Sequence, residues 1–461
     1  MRNSTEHSAN RGIWMACLLV ASLAIPAAAV AASRDPLITA TVAAAVGLIL
    51  VFAIALTRFE LLTFLMIAAR TAMDITHSSD SEQGVSLSAI VTGAYTLTAL
   101  VWLLARRIRR PLRLSKVAIA AIAVAGAAVL SGALSTDREQ ALLGASRWVF
   151  LAVFLVVLEN LIVDEKQVHR LLIAICVSTV VPLGLGTWQL LAGGGRVIDG
   201  IMRIEGSFAH PNSYGFYLAV VGIGLIALIG HIPRLFRVVG LALLPVILIN
   251  LVATFSRTSY VAFVVGVFAV AFLARRWALL AFTVAAVSAM PLIPGVSERF
   301  ADLGEGTTIR GTPGDSLSWR IDYWEDVINA GEGWRVTGLG LGVVSDTTEQ
   351  GREPHNDLLR AYVELGVIGL VAFLSFLLAL GWHIRRALSG APSASGSRGL
   401  PRALVIGNAG IFSAYLVGSI TGNLMTQLIL LMYVVAFAAA AGPSTRCDIG
   451  DAKRALAPSH V

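Results

Sequence analysis

Apolar residues in this chain come in long runs divided by short polar or basic stretches, as in IWMACLLVASLAIP near the start and LILLMYVVAFAAAA near the end. Each run is close to the ~20 residues that an α-helix needs to cross ~30 Å of hydrocarbon, and the runs lack the period-two alternation of a membrane barrel. Lipid offers no partner to an unpaired backbone N–H or C=O, so the pattern predicts helices rather than open strands. The runs place candidate spans at 13–32, 37–57, 59–73, 85–105, 116–135, 148–163, 171–191, 212–230, 238–254, 259–274, 277–293, 361–382, 403–420 and 424–441. The third is short and carries Arg70, which leaves a re-entrant or tilted segment as the alternative. The predicted fold class is all-α: a polytopic transmembrane helical bundle with a large periplasmic loop between two late spans.

Composition agrees with that pattern. Of the 461 residues 56% are apolar and 14% charged, more apolar surface than a water-soluble domain could bury. The basic residues then supply an orientation, because cytoplasmic connections carry the excess of Lys and Arg. Arg106, Arg107, Arg109, Arg110, Arg113 and Lys116 fall in one connection, Arg234 and Arg237, Arg275 and Arg276, and Arg385 and Arg386 in three others. The segment Asp74 to Gly84 holds Asp80 and Glu82 without a basic residue, and Thr421 to Asn423 holds no charge. The N-terminus is thus expected inside the cell, and the net charge of +7 is explained by anchoring to anionic lipid. Nucleic-acid binding would want the basic residues on one soluble domain, and is excluded as a reading. The predicted organisation is a bundle over 1–293, a periplasmic loop with short helices over 294–360, a second part of the bundle over 361–441 and a cytoplasmic tail over 442–461. The first 32 residues also have the basic, apolar and small-residue parts of a signal peptide. Cys17, Cys176 and Cys447 have no metal or redox spacing and read as small hydrophobes.

The connection from Pro294 to Arg360 is far longer than the others and predicts a structured cap. Within it Leu317, Ile321, Trp324, Val327 and Ile328 recur at helical spacing while Arg320, Asp322, Glu325 and Asp326 point elsewhere, which predicts a short amphipathic helix on the membrane surface. GLGLG at Gly338 to Gly342 lacks the Lys and Ser or Thr of a phosphate-binding loop and reads as a flexible turn. His355 and Asn356 then precede a long apolar helix. Asn356 is placed to cap it, and His355 sits near its positive end, where neutral imidazole is favoured and could act as a general base. The alternative is that His355 only hydrogen-bonds the loop closed.

Other polar residues fall on the same predicted face: Arg203, Glu205, His210, Asn212 and Arg257, with Arg147, Arg320 and Arg360 as further members. Arginines at the hydrocarbon edge are costly unless paired, and several at one level would suit a diphosphate, whose oxygens accept from the planar guanidinium in pairs. Against this, Arg360 lies one helical turn before Glu364 and the two could simply pair, while Arg147 could mark an interface. Pro182, Gly184 and Gly186 interrupt the seventh span as a broken transporter helix would, but the polar residues gather at one face instead of forming a path across.

RIEGSFAHPNSYGFYLAVV from Arg203, TFSRTSYVAF from Thr254, and His355-Asn356 followed after nine residues by Gly366 and then Gly369 resemble the O-antigen ligase and polymerase superfamily. SWRIDYWEDV and GLGLG are similar to that family's large-loop approach to the motif. The resemblance implies a metal-independent glycosyltransferase at the outer face of the bacterial inner membrane, with no cofactor. Its partners would be an undecaprenyl-diphosphate-linked glycan, a glycan or lipid A-core acceptor, membrane lipids, and a chain-length regulator or flippase, in O-antigen or other surface polysaccharide assembly. His355 would activate the acceptor hydroxyl, Arg203, Arg257, Arg320 and Arg360 would hold the diphosphate, and Asn356, Asp357, Glu205, His210 and Asn212 would support them. The motif is shared by polymerases and ligases; the span count leans the expectation to a polymerase, with ligation to lipid A-core as the alternative. A lipid-linked substrate transporter or flippase and a non-catalytic scaffold are the readings from other classes.

Overall fold

A computed structural model describes residues 58–73, 87–198, 200–289, 292, 316–390 and 399–442. The expected spans at 13–32 and 37–57 with the signal-peptide alternative, the Asp74 to Gly84 link, residues 293–315 of the long connection and the tail beyond 442 lie outside the described residues. The longer helices among the described residues are α1 (Phe59–Arg70), α2 (Leu87–Arg109), α3 (Lys116–Leu134), α4 (Arg138–Leu161), α5 (Glu165–Ser178), α6 (Val180–Ala192), α7 (Pro211–Leu228), α8 (Arg234–Ala253), α9 (Arg257–Leu273), α10 (Trp277–Ala289), α11 (Ser316–Ala330), α12 (Asp357–Gly390), α13 (Leu400–Thr421) and α14 (Leu428–Ala441). Among the described residues eight helical stretches are long and apolar enough to cross a membrane, with α5 and α6 counted as one, and α9, α10 and α14 are shorter apolar helices. Among the described residues the chain is a multi-pass, all-α membrane bundle apart from one hairpin, β1 (Arg196–Ile198) and β2 (Ile201–Arg203), paired antiparallel with Arg196 opposite Arg203.

Helix ends follow local chemistry. Ser115, Asp137 and Asp164 each accept a backbone N–H of the next turn and so start α3, α4 and α5. The cap at Asp137 explains why α4 begins ten residues ahead of the expected span, leaving Arg147 within a helix. Pro182 explains the break between α5 and α6. A proline clashes with the carbonyl four residues earlier, and the Ser178 carbonyl is turned out of the helix to accept Thr71 Oγ1 at 2.8 Å. In the bundle core, α9 and α13 cross at glycine: a Cβ on Gly266 would sit 2.9 Å from the Gly410 carbonyl oxygen, and one on Gly410 would sit 2.7 Å from that of Gly266.

The described part of the long connection is built onto the bundle. Gly366 interrupts α12 with φ +66° and ψ −170°, opening its backbone for pairing. Leu339 and Gly340 N–H groups donate to the Val363 and Glu364 carbonyls (3.0 and 2.9 Å), and Val367 N–H donates to the Arg335 carbonyl (2.9 Å). Ser131 and Ser135 hydroxyls of the α3 end donate to the carbonyls of Glu364 and Leu339. GLGLG is therefore a turn docked on α12 rather than a free one, and a Cβ on Gly338 would lie 2.3 Å from the Glu364 backbone. The helix α11 forms as expected. Tyr323 and Val327 are buried with Trp319 packed beside them, whereas Ile321 and Ile328 are 54% and 45% exposed.

Candidate functional site

His355 lies between the long connection and the first turn of α12, in the left-handed region at φ +51°. Trp324 of α11 holds the residue before it, donating from Nε1 to the Pro354 carbonyl at 2.7 Å. Asn356 caps α12 as its type and position predict, Oδ1 accepting from the Leu358 and Leu359 N–H groups at 3.0 and 3.1 Å. Asn423, in the turn between α13 and α14, grips His355 twice: Oδ1 accepts the His355 backbone N–H at 2.8 Å and Nδ2 lies 3.0 Å from Nδ1. The backbone N–H can only donate, so it fixes Oδ1 as the near acceptor and Nδ2 as the group facing the ring. Nδ1 is consequently an acceptor, and the neutral ring carries its proton on Nε2.

His210 repeats this arrangement. It is the N-cap of α7, and its Nδ1 accepts the Asn212 backbone N–H at 3.1 Å, which again leaves the proton on Nε2. Both rings are held neutral. Burial first, and then the charges of Arg203 and Arg196, lower the pKa of His210 from 6.5 to about 4. Burial with Arg320, His210 and Arg352 does the same for His355, also to about 4. The two histidines are thus electrostatic neighbours within a group of arginines that includes Arg257, which faces Arg320 and, after burial, lowers the pKa of that guanidinium. Arg320 donates from Nη1 to the Thr421 carbonyl at 3.2 Å, so the α11 helix and the α13 end are tied at the same place as His355.

The other sequence-selected residues divide. Arg203 is buried and spans the hairpin, the α8 end and α7, donating from Nε to the Thr254 carbonyl at 2.7 Å and from Nη2 to Asn212 Oδ1 at 2.6 Å. Glu205 pairs with Arg196 at 2.9 Å. Arg360 is 0% exposed and contacts Glu353 and Glu364, its Nη1 donating to Thr426 Oγ1 at 3.1 Å. Its pairing with Glu364 is the alternative weighed from the sequence, and full burial removes Arg360 from any surface a diphosphate could reach. Glu364 in turn accepts the Gly342 and Val344 N–H groups, so this ion pair braces GLGLG. Asp357 is likewise fully buried, Oδ1 accepting the Met425 N–H at 3.0 Å, and is sealed from substrate.

Sequence reasoning missed Asn423, Arg196 and Arg352. Asn423 had only its position in an uncharged turn to mark it, while Arg352 stacks on Trp319 with its guanidinium carbon 4.9 Å from the ring centre. Among the described residues no group of three or more His, Cys, Asp or Glu is arranged to hold a metal. What converges is a set of cations and N–H donors, an arrangement suited to an anion.

No curated protein matches the chain. Residues 242–374, from the middle of α8 into α12, match the family described as O-antigen ligase. That stretch includes Arg257, Arg320, His355, Gly366 and Gly369, so the family reading of these motifs holds, while the description favours ligation over the polymerase expected from the span count. Residues 242–374 are thus similar to the O-antigen ligase family.

Proposed function

We propose that this protein transfers a glycan from a polyprenyl diphosphate to an envelope acceptor such as lipid A-core, at the outer face of the inner membrane. The observation that carries the reading is the pair of neutral histidines, each with Nδ1 occupied and Nε2–H remaining, among Arg257, Arg320 and Arg352 at one end of a membrane bundle. A diphosphate offers only acceptors and negative charge, which such a set complements. The orientation rests on charge: the links holding Arg110 and Arg113, Arg234 and Arg237, and Arg275 and Arg276 fall at the helix ends opposite to His355.

In the reaction the acceptor hydroxyl attacks the anomeric carbon, the bond from that carbon to the diphosphate oxygen breaks, and one displacement inverts the centre. Charge grows on the departing diphosphate. Arginines fixed in advance and Nε2–H of His355 stabilise it there without reorganisation, and a diphosphate oxygen takes up the hydroxyl proton. The general-base role expected for His355 would need its lone pair on Nδ1, the atom that Asn423 occupies, so the arrangement favours His355 as a donor. Arg203, braced to Thr254 and Asn212, shapes the wall from which His210 projects.

The test is reconstitution of the purified protein with a polyprenyl-diphosphate-linked glycan, alone and with lipid A-core, with products read by mass. Transfer only when lipid A-core is present is expected. Extension of the donor by itself would make the protein a polymerase, and movement of the donor across the bilayer without a new glycosidic bond would overturn transfer altogether.

A further inference from the structure

The end of the bundle remote from His355 contains a cavity of about 940 Å³ between the start of α1, the end of α2 and the end of α4. Its separation from the candidate site follows from α4, whose first turn reaches the connection through Gln140 Nε2 and the Gly342 carbonyl and whose last turn holds Asn160. Helical rise puts about 30 Å between those two residues.

Five arginines line the cavity: Arg58, Arg106, Arg110, Arg113 and Arg170. Among the described residues only Arg170 has its charge answered there, by Glu60 at 2.5 Å. The wall that carries the others is built. Arg113 exchanges two backbone hydrogen bonds with the Asn160 side chain, each 2.9 Å, and Ser115 donates to Glu159 from both N–H and hydroxyl. Arg106 lies with its guanidinium carbon 5.3 Å from the Trp102 ring centre, and its buried Nε has no hydrogen-bond partner among the described residues. A desolvated cationic donor without an acceptor is costly, and an anion in the cavity would satisfy it. The floor is different in kind: Phe59 and Trp102 stack at 4.7 Å, and Phe64 and Leu161 continue the apolar surface. An ordinary cytoplasmic anchor needs arginines that snorkel outward, not a recess that joins cations to an apolar floor.

We propose that this recess binds the phosphate headgroup of an anionic glycerophospholipid from the leaflet at that end, with the start of its acyl chains on the aromatic floor. A free phosphate compound shares the headgroup chemistry but makes no use of the floor.

The experiment uses the full-length protein in zwitterionic nanodiscs titrated with phosphatidylglycerol, with bound lipid read by native mass spectrometry after detergent release. A parallel arm offers inorganic phosphate as competitor. Wild type should retain phosphatidylglycerol against millimolar phosphate. Arg106→Gln and Arg110→Gln should each weaken retention about fivefold, the effect of one basic residue near an anionic headgroup. Arg110 is exposed, so its replacement tests the site even if the Arg106 variant misfolds. Arg107→Gln, on the same helix but outside the lining, should retain lipid as wild type does. Equal retention in the Arg110 and Arg107 variants, or displacement of the lipid by inorganic phosphate, would overturn the proposal.

Discussion

Two basic groups five residues apart have opposite fates in this molecule. His355 faces a half-buried cluster of arginines with one ring nitrogen engaged, whereas Arg360, little more than one turn further along α12, is sealed between Glu353 and Glu364. Both were candidates for touching the substrate. The difference is what surrounds each charge: carboxylates pair with Arg360 and tie it to GLGLG, while Arg320 and Arg352 are the charged neighbours that act on His355. A cluster of cations suits an anion; an ion pair in the core marks a brace.

The comparison is most easily broken at Arg360. Arg360→Ala leaves Glu364 buried and unpaired, a loss of about 3–5 kcal/mol when one member of a buried pair is removed. Thermal unfolding in detergent should show it, and normal stability with a selective loss of transfer would return Arg360 to the substrate site. The second effect is catalytic. His355→Ala should lower kcat about 10²–10³-fold, the cost of one donor to a developing anion, with little change in unfolding temperature. His355→Gln sharpens this result, because its amide can donate near the Nε2 position but cannot serve as a base. It should recover at least part of the lost rate; a Gln variant as inactive as Ala would favour the general-base role.

A smaller effect is expected at Asn423. Asn423→Asp keeps an acceptor for the His355 N–H but presents the second carboxylate oxygen to Nδ1, which draws the ring proton there and raises its pKa. Transfer should fall about tenfold, on the order of the 1.4 kcal/mol expected for one misdirected hydrogen bond. An unchanged rate would dissociate the ring's tautomer from catalysis. The smallest effect is in pH. His210 and His355 have folded pKa values of about 4 against an ordinary 6.5, so between those values the unfolded chain binds more protons. Their contribution to stability is complete above about pH 6.5 and is lost progressively as pH falls toward 4. The kcat profile should show no inflection near 6.5, and NMR titration should find both values raised when a polyprenyl diphosphate analogue supplies negative charge. An inflection near 6.5 in the free protein would mean that His355 is not desolvated as described.

The bundle itself was legible in the chain because hydrocarbon thickness sets a length that apolar runs must meet, and caps such as Asn356 act within one turn of their own position. Pro182 announced an interruption for the same local reason. The pairing of Arg360 with Glu364 was visible as a four-residue spacing, but burial decided between the brace and the substrate contact. Helical spacing gave α11, while the packing of Trp319 and Tyr323 beside Val327 on α12 and the connection was not visible in it. The clearest limit is His355. Its position beside a helix start could be read from neighbours, but the atom that carries its proton is set by Asn423, 68 residues away. Likewise Gly338 and Gly366 make sense only together, since each removes the Cβ that would block the other segment's backbone. The sequence by itself determined the multi-pass apolar bundle, the Asn356 cap and the family motif, which depend on short-range physics. Tertiary structure alone decided which polar groups remain to meet an anion, because hydrogen-bond satisfaction is settled by whichever donors and acceptors the fold brings together.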